Sequence, residues 1–231
     1  RDIMMTVGEI YEKFDRIGCL AFATVDRGIP QIRMAHLFAH DEGGLYFRTM
    51  ITKPFYAQLK KTGVVSVCGM YPDTRVCHGG DGMPRFAPGY TIRATGSVKE
   101  ISLDRLREKA AVDGMFGLGV KDIERYPAMT AFCLYRGWGE VYDFDFEMER
   151  RPHKLLRTGF CFGGGHIPFR GIRITEDCIA CGSCLERCTF KAIDQQDDRF
   201  VIDHNKCDAC GSCYTVCPVG AVEIAIEDPE A

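Results

Sequence analysis

Between residues 6 and 17 apolar side chains recur at helical intervals: Val7, Ile10, Tyr11, Phe14 and Ile17. Thr6 ahead of them and Glu9 three residues on make a capping box, and Gly18 ends the helix. The period then shortens. Residues 19–25, 31–39 and 45–50 read as strands, parted by Asp26-Arg27-Gly28 and by Asp41-Glu42-Gly43-Gly44. Three strands joined by short turns imply an antiparallel meander. Residues 53–61 form a short helix closed by Gly63, and residues 64–70 a buried strand. Residues 71–89 hold four Gly and three Pro in 19 positions, the composition of a loop, and one this long is usually functional or disordered. A strand at 90–101, a helix at 103–115 and a strand or hairpin at 131–146 follow. These elements describe an α+β chain whose residues 1–149 build a closed or partly closed antiparallel barrel with short helices. Residues 150–173, with Arg150, Arg151, His153, Lys154 and Arg157 before Gly163-Gly164-Gly165, read as a basic, glycine-containing linker whose glycine run argues for a hinge or for close backbone approach.

From residue 174 the pattern is set by cysteine. Cys178, Cys181, Cys184 and Cys188 are spaced 3, 3 and 4 apart, and Cys207, Cys210, Cys213 and Cys217 repeat this 29 residues later. Gly182-Ser183 recurs as Gly211-Ser212, and Ala192 as Ala221, so the segment is an internal duplication with approximate twofold symmetry. Three closely spaced thiolates can reach three corners of an iron–sulfur cubane, and the fourth must come from farther away. Zinc, which favours two separated cysteine pairs around one tetrahedral ion, fits such runs poorly. The segment resembles the bacterial two-cluster ferredoxins over residues 174–231. In that family the fourth cysteine of each run ligates the other cluster. The resemblance implies two 4Fe–4S clusters, one on Cys178, Cys181, Cys184 and Cys217 and one on Cys207, Cys210, Cys213 and Cys188. The second run ends in Cys217-Pro218 as in the family; the first departs from it at Cys188-Thr189.

Composition narrows the setting. Thirteen cysteines, with no apolar leader ahead of them, fit metal ligation in a reducing, cytoplasmic compartment better than a disulfide framework. No run of 18 apolar residues exists to span a membrane. The formal charge of −3 hides an asymmetry: residues 174–231 carry 12 acidic and four basic side chains, and the rest of the chain 20 and 25. A basic body with an acidic tail suits either mutual docking or an anionic ligand on the body. Nucleic acid is disfavoured, since no basic stripe is interleaved with aromatic residues.

The barrel offers candidate chemistry for such an anion. No nicotinamide fingerprint or P-loop is present. Gly28-Ile29-Pro30-Gln31-Ile32-Arg33-Met34-Ala35-His36 is followed by Leu45-Tyr46-Phe47-Arg48-Thr49 and then Lys53, ahead of a helix N-terminus. Guanidinium forks, a hydroxyl, an ammonium and free amides suit a phosphate. Taken singly, Arg33 and Arg48 also suit the solvated face of a sheet, Met34 a plain core and His36 a pocket wall. The ordered set resembles the pyridoxamine 5′-phosphate oxidase-like FMN-binding split-barrel proteins over about residues 6–147. That resemblance implies Arg33 and Met34 beside the flavin ring and ribityl chain, and Arg48, Thr49 and Lys53 at the phosphate of FMN. It further implies a flavin contact at Thr91 and a homodimer in which Trp138 flanks the partner's flavin. The oxidase's glutamine near Thr91 is missing, so oxidation of pyridoxamine phosphate is not implied. The family includes nitroimidazole-type nitroreductases.

The resulting expectation is an FMN-dependent reductase. It would take electrons from an external low-potential donor through the clusters and reduce a small-molecule substrate, nitro-aromatic or unsaturated. Tyr71 or His78 would supply the proton; Cys77 and His78 could instead be a metal-ligand pair that Cys161 and His166 join, or simply face solvent. Cys19, Cys68 and Cys133 are expected as small core residues. The alternatives are a non-enzymatic electron-transfer or redox-sensing module, and a split barrel that holds haem or deazaflavin.

Overall fold

The computed structural model describes residues 5–71, 77–78, 80–82, 84–85, 89–143 and 157–227. Its elements run α1 (Val7–Ile17), β1 (Leu20–Asp26), β2 (Ile29–Ala35), β3 (Leu37–Asp41), β4 (Gly44–Met50), α2 (Pro54–Thr62) and β5 (Val64–Tyr71). The short pair β6 (Cys77–His78) and β7 (Pro84–Arg85) precedes β8 (Tyr90–Ile101), α3 (Leu103–Val112), a 3₁₀ turn (Gly114–Phe116) and α4 (Gly117–Arg125). Then come β9 (Met129–Asp143), β10 (Arg157–Phe162), β11 (Arg170–Ile174), α5 (Ser183–Arg187), β12 (Ile193–Gln196), β13 (Arg199–Ile202), α6 (Ser212–Val216) and β14 (Val222–Ile226). The chain divides into two compact units. One comprises Arg1–Asp73, Thr91–Glu140 and Phe160–His166; the other comprises Thr74–Tyr90, Val141–Gly159 and Ile167–Ala231. No helix among the described residues is long and apolar enough to cross a membrane.

The first unit is built on one sheet in the order β2-β1-β5-β8-β9-β4-β3, with β10 also paired to β9. Strands β2 and β3 occupy its two edges, yet only His36 separates them along the chain. Neighbouring Cα atoms lie 3.8 Å apart, so both edges must come within about 7 Å at His36. The sheet therefore curls into a barrel that is split wherever β2 and β3 do not pair. This corrects the expected single strand over 31–39 and the expected meander. The chain makes two antiparallel hairpins, β1–β2 and β3–β4, whose inner strands then pair elsewhere, β1 with β5 and β4 with β9. Apolar alternation alone does not reveal a one-residue break that carries the chain from one edge to the other.

Both faces of β4 are covered. Phe47 lies 5.0 Å from Phe22 and 5.8 Å from both Phe55 and Phe132, centroid to centroid. On the opposite face, Tyr46 packs edge-on to Phe116 at 4.9 Å, in a cluster with Phe38 and Ile123. Helix α1 starts as read from its sequence: Thr6 Oγ1 accepts from the Glu9 N–H at 3.2 Å, and Glu9 accepts from the Thr6 N–H at 2.7 Å. Gly63 closes α2 at φ 65°, a left-handed residue where glycine is least strained. The expected helix over 103–115 stops at Val112, because Asp113 turns extended and accepts from the Met115 N–H at 2.9 Å, opening the 3₁₀ turn. Helix α4 was not foreseen, since Gly117 and Gly119 lower its helical propensity. Gly119 is there for packing: a Cβ would come within 2.6 Å of the Phe38 ring.

The glycine run after β10 is no hinge. A Cβ on Gly163 would sit 1.9 Å from the Tyr135 carbonyl oxygen, and one on Gly165 2.3 Å from that of Gly137, so these glycines serve close backbone approach. The segment read as a linker carries two strands, β10 and β11. Residues 150–156 of it, positions 144–146 of the expected strand or hairpin at 131–146, and positions 72–76, 79, 83 and 86–88 of the expected loop lie outside the described residues. Cys133 is buried as expected, but Cys19 and Cys68 are exposed. Cys68 alternates with the inward-facing Val65 and Val67 on β5 and points to the outer face.

In the second unit β11 pairs with β14 and β12 with β13, each antiparallel. The 29-residue offset maps β11-α5-β12 onto β13-α6-β14, so each half contributes one strand to each pair. Ile172, Ile193, Phe200 and Val222 form the small core together with Cys184 and Cys213.

Candidate metal centres and cofactor site

The backbone of each cysteine run is bent the same way. Ala180 and Ala209 adopt φ of 53° and 55°, followed by Gly182 and Gly211 at 82° and 79°. Left-handed residues so close together turn successive amides toward one side, the arrangement of an anion-binding nest. The Ala209 N–H donates to Cys207 Sγ at 3.3 Å, the Ala192 N–H to Cys188 Sγ at 3.3 Å and the Ala221 N–H to Cys217 Sγ at 3.2 Å. Ala192 and Ala221 are fully buried, so no larger side chain would let those amides reach sulfur.

The eight thiols sort into two cavities. One is lined by Cys188, Cys207, Cys210 and Cys213 with Ile172 and Ile193. The other is lined by Cys178, Cys181, Cys184 and Cys217 with Ile174 and Phe200. Each takes three cysteines from one run and the fourth from the other. Among the described residues no three His, Cys, Asp or Glu side chains converge on a point suited to one metal ion. Four soft sulfur ligands around a walled space fit a multi-iron cubane instead. Burial pushes the thiols of Cys184, Cys207 and Cys213 up. The Ser183 backbone N–H holds that of the exposed Cys181 down. Buried thiols of raised pKa become good ligands once iron supplies the compensating charge.

The barrel residues divide differently from the sequence expectation. Arg33 faces inward from β2: its two terminal nitrogens donate to Thr24 Oγ1 at 2.7 Å and to Gln58 Oε1 at 2.8 Å. Its guanidinium lies 4.3 Å from the centre of the Phe55 ring. Burial pulls its pKa down, the cost of holding a cation between an aromatic ring and two neutral acceptors. Met34, the next residue, points to the outer face and is 60% exposed. Thr49 lies on the same face of β4 as Phe47 and is buried, with no hydrogen bond to its hydroxyl among the described residues. Lys53 is the exposed N-cap residue of α2 and caps no helical N–H with its side chain. Arg48 lies on the opposite face of β4, ion-paired to Asp122 of α4, with Phe38 5.1 Å from its guanidinium. The structure thus places Thr49 and Lys53 near one end of β4 and sets Arg48 apart from them.

Thr91 on β8 and Trp138 on β9 occupy half-buried outer positions, alternating with the buried Ile92 and Gly139. The ring of Tyr71, at the end of β5, lies 5.7 Å from the Arg16 guanidinium. His78 is exposed, its backbone paired with Pro84 in the other compact unit. His36 Nδ1 lies 2.8 Å from the Gly18 carbonyl oxygen. Three contributors escaped the sequence reading. Thr24 and Gln58 are polar residues at inward positions, a signal visible once the strand alternation is drawn. Asp122 sits on the unforeseen α4 and left no such signal.

The 4Fe–4S binding domain family matches residues 200–223, which hold the whole second cysteine run. The chain joins a 4Fe–4S binding domain to an antiparallel split barrel. Solved structures similar to it include a NimC/NimA family protein from Clostridium acetobutylicum, at 18% identity and a TM-score of 0.49, over 69% of this chain and 95% of that one. The heme storage protein HutZ of Vibrio cholerae is similar at 15% identity and a TM-score of 0.41, over 57% and 90%. A protein related to general stress protein 26, of the pyridoxinephosphate oxidase family from Clostridium acetobutylicum, is similar at 16% and 0.41, over 60% and 88%.

Proposed function

We propose that this protein is a reductase that accepts electrons singly from an external low-potential donor and delivers them in pairs to a small organic acceptor. It would hold two 4Fe–4S clusters in its thiol-lined cavities and FMN on the barrel. The observation that carries this reading is the crossed sorting of eight cysteines into two cavities, three from one run and one from the other in each case. When bound, the clusters supply one-electron carriage and the flavin converts single electrons into hydride equivalents.

The protein's own residues have distinct tasks in this scheme. The amides of Ala192, Ala209 and Ala221 hold thiolate charge at three ligands. Thr49, Lys53 and the first turn of α2 would receive the FMN phosphate through a hydroxyl, an ammonium and helix amides. Arg33, with further N–H donors beyond those given to Thr24 and Gln58, would fix the flavin edge from β2. Arg48 is engaged by Asp122 and would join the phosphate only by exchanging that partner. Tyr71 and His78 are the proposed proton donors to substrate. Ile32 and Met34 of β2, Val25 of β1, and Val64 and Met70 of β5 leave large apolar side chains exposed, which favours a homodimer.

The test is anaerobic turnover of a nitro-aromatic probe by the intact protein. Reduced ferredoxin is expected to support it and NAD(P)H alone is not. Lys53→Met and Thr49→Val are each expected to weaken FMN binding at least tenfold. Full turnover with NAD(P)H alone, or unchanged flavin affinity in both variants, would contradict the proposal.

A further inference from the structure

The two cavities are near copies in their ligands and turns, but their electrostatic surroundings differ. Ahead of the first run stand Glu176 and Asp177; the equivalent positions in the second run are Asn205 and Lys206. Lys206 is ion-paired to Asp203 at 3.0 Å, which offsets its charge; a further cation stands beside the second run. The Arg157 backbone N–H donates to the Asn205 carbonyl at 3.0 Å, two residues before Cys207. Its guanidinium lies 5.5 Å from the centre of the Tyr142 ring. The Tyr142 hydroxyl in turn donates to Asp208 Oδ1 at 2.8 Å, and Asp208 lines the same cavity as Cys207. Tyr142 thus holds both Arg157 and Asp208 beside the second run. The position matching Asp208 in the first run is the apolar Ile179.

We propose that Arg157 tunes the electron distribution between the clusters. It raises the reduction potential of the one held by Cys188, Cys207, Cys210 and Cys213 above that of its twin. This rests on the two-cluster reading given above. Reduction of either cluster adds one electron and one negative charge, so a fixed cation favours reduction of the cluster beside it. In a protein that has taken up a single electron, the first cluster is left oxidised and the second reduced. A unit charge within about 8 Å, at the effective dielectric of a protein surface, changes such a partition tenfold or more. Tenfold is about 59 mV for a one-electron couple. Arg157 acts through the cluster's ligands and its field, so it is a positioning residue.

The experiment uses the full chain, purified anaerobically, with iron and sulfide counted and both EPR signals followed through a dithionite titration. Arg157→Gln is expected to lower one midpoint by about 59 mV or more and Arg157→Lys to restore it. Asp177→Asn is expected to raise the other midpoint. In a protein holding about eight irons, no shift, or equal shifts in both signals, would overturn the inference and leave the two-cluster reading standing. Fewer irons in the unaltered protein would overturn that reading and the inference with it. Should Arg157→Gln lose iron, Asp208→Asn decides: it should raise the signal that Asp177→Asn leaves in place, and any other pattern overturns the inference.

Discussion

The two units hold themselves together by different means. The barrel fills its centre with its own rings: Phe22, Phe47 and Phe132 are essentially inaccessible, and the opposite face of β4 is sealed by Tyr46 and Phe116. Among the described residues the core of the cysteine unit is a small cluster of Ile172, Ile193, Phe200 and Val222 with two cysteines, and it lies beside two thiol-lined cavities. A small unit of this kind cannot bury enough apolar surface alone and leans on what its thiols bind. The barrel is specified by side-chain packing, whereas the cysteine unit is specified by left-handed turns that aim amides and sulfurs at an inorganic guest.

That contrast can be broken most sharply by removing iron. Anaerobic chelation is expected to abolish amide-exchange protection over 170–226 while the protected amides of β1, β4, β5 and β9 persist, because binding free energy there is also folding free energy. Protection of 170–226 that survives chelation would erase the distinction. A second test works from the other side. Phe47→Ala should cost the barrel about 3–5 kcal/mol and lower its thermal transition, with no change in iron content. Equal loss of cluster absorbance would show that the units do not fold independently.

The smallest expected effect concerns a charge on the outer face of the barrel sheet. Asp41 is ion-paired to Lys109 and accepts from the Gly43 N–H at 2.8 Å and the Tyr46 hydroxyl at 3.0 Å. Burial pushes its pKa up, but those donors, Lys109 first, outweigh it and hold the carboxyl below its ordinary value. A depressed folded-state pKa contributes stability that is present above the unfolded value, about 3.9, and lost as pH falls through the folded one. Asp41→Asn should therefore lower the barrel melting temperature at pH 7, and the gap to the unaltered protein should close in strong acid. A gap that does not depend on pH would mean that shape rather than charge matters at this site.

Much of this was legible in the chain. The capping box at Thr6 and Glu9, the strand at Tyr90–Ile101 and the turn at Gly63 follow from local chemistry, and the structure has each of them. The crossed sorting of the eight cysteines was implied by a family resemblance, and the cavities show that same sorting. Long-range placement was not legible. The break at His36 spans one residue and leaves the alternation intact, so nothing local announces that β3 belongs on the far edge. The partnership of Arg48 with Asp122 joins positions 74 residues apart through a helix that two glycines conceal. Arg33 and Arg48 look equivalent as strand cations, and only the topology shows that one faces the Phe55 ring and the other the Phe38 ring.

The most direct test of the central claim is a count of iron, sulfide and released flavin on anaerobically purified protein, alongside its visible spectrum. About eight irons, about eight sulfides and one FMN per chain are expected, with cluster absorbance bleached by dithionite. Four irons or fewer, or full iron with no flavin, would contradict the reading of this chain as a flavin reductase fed by two clusters.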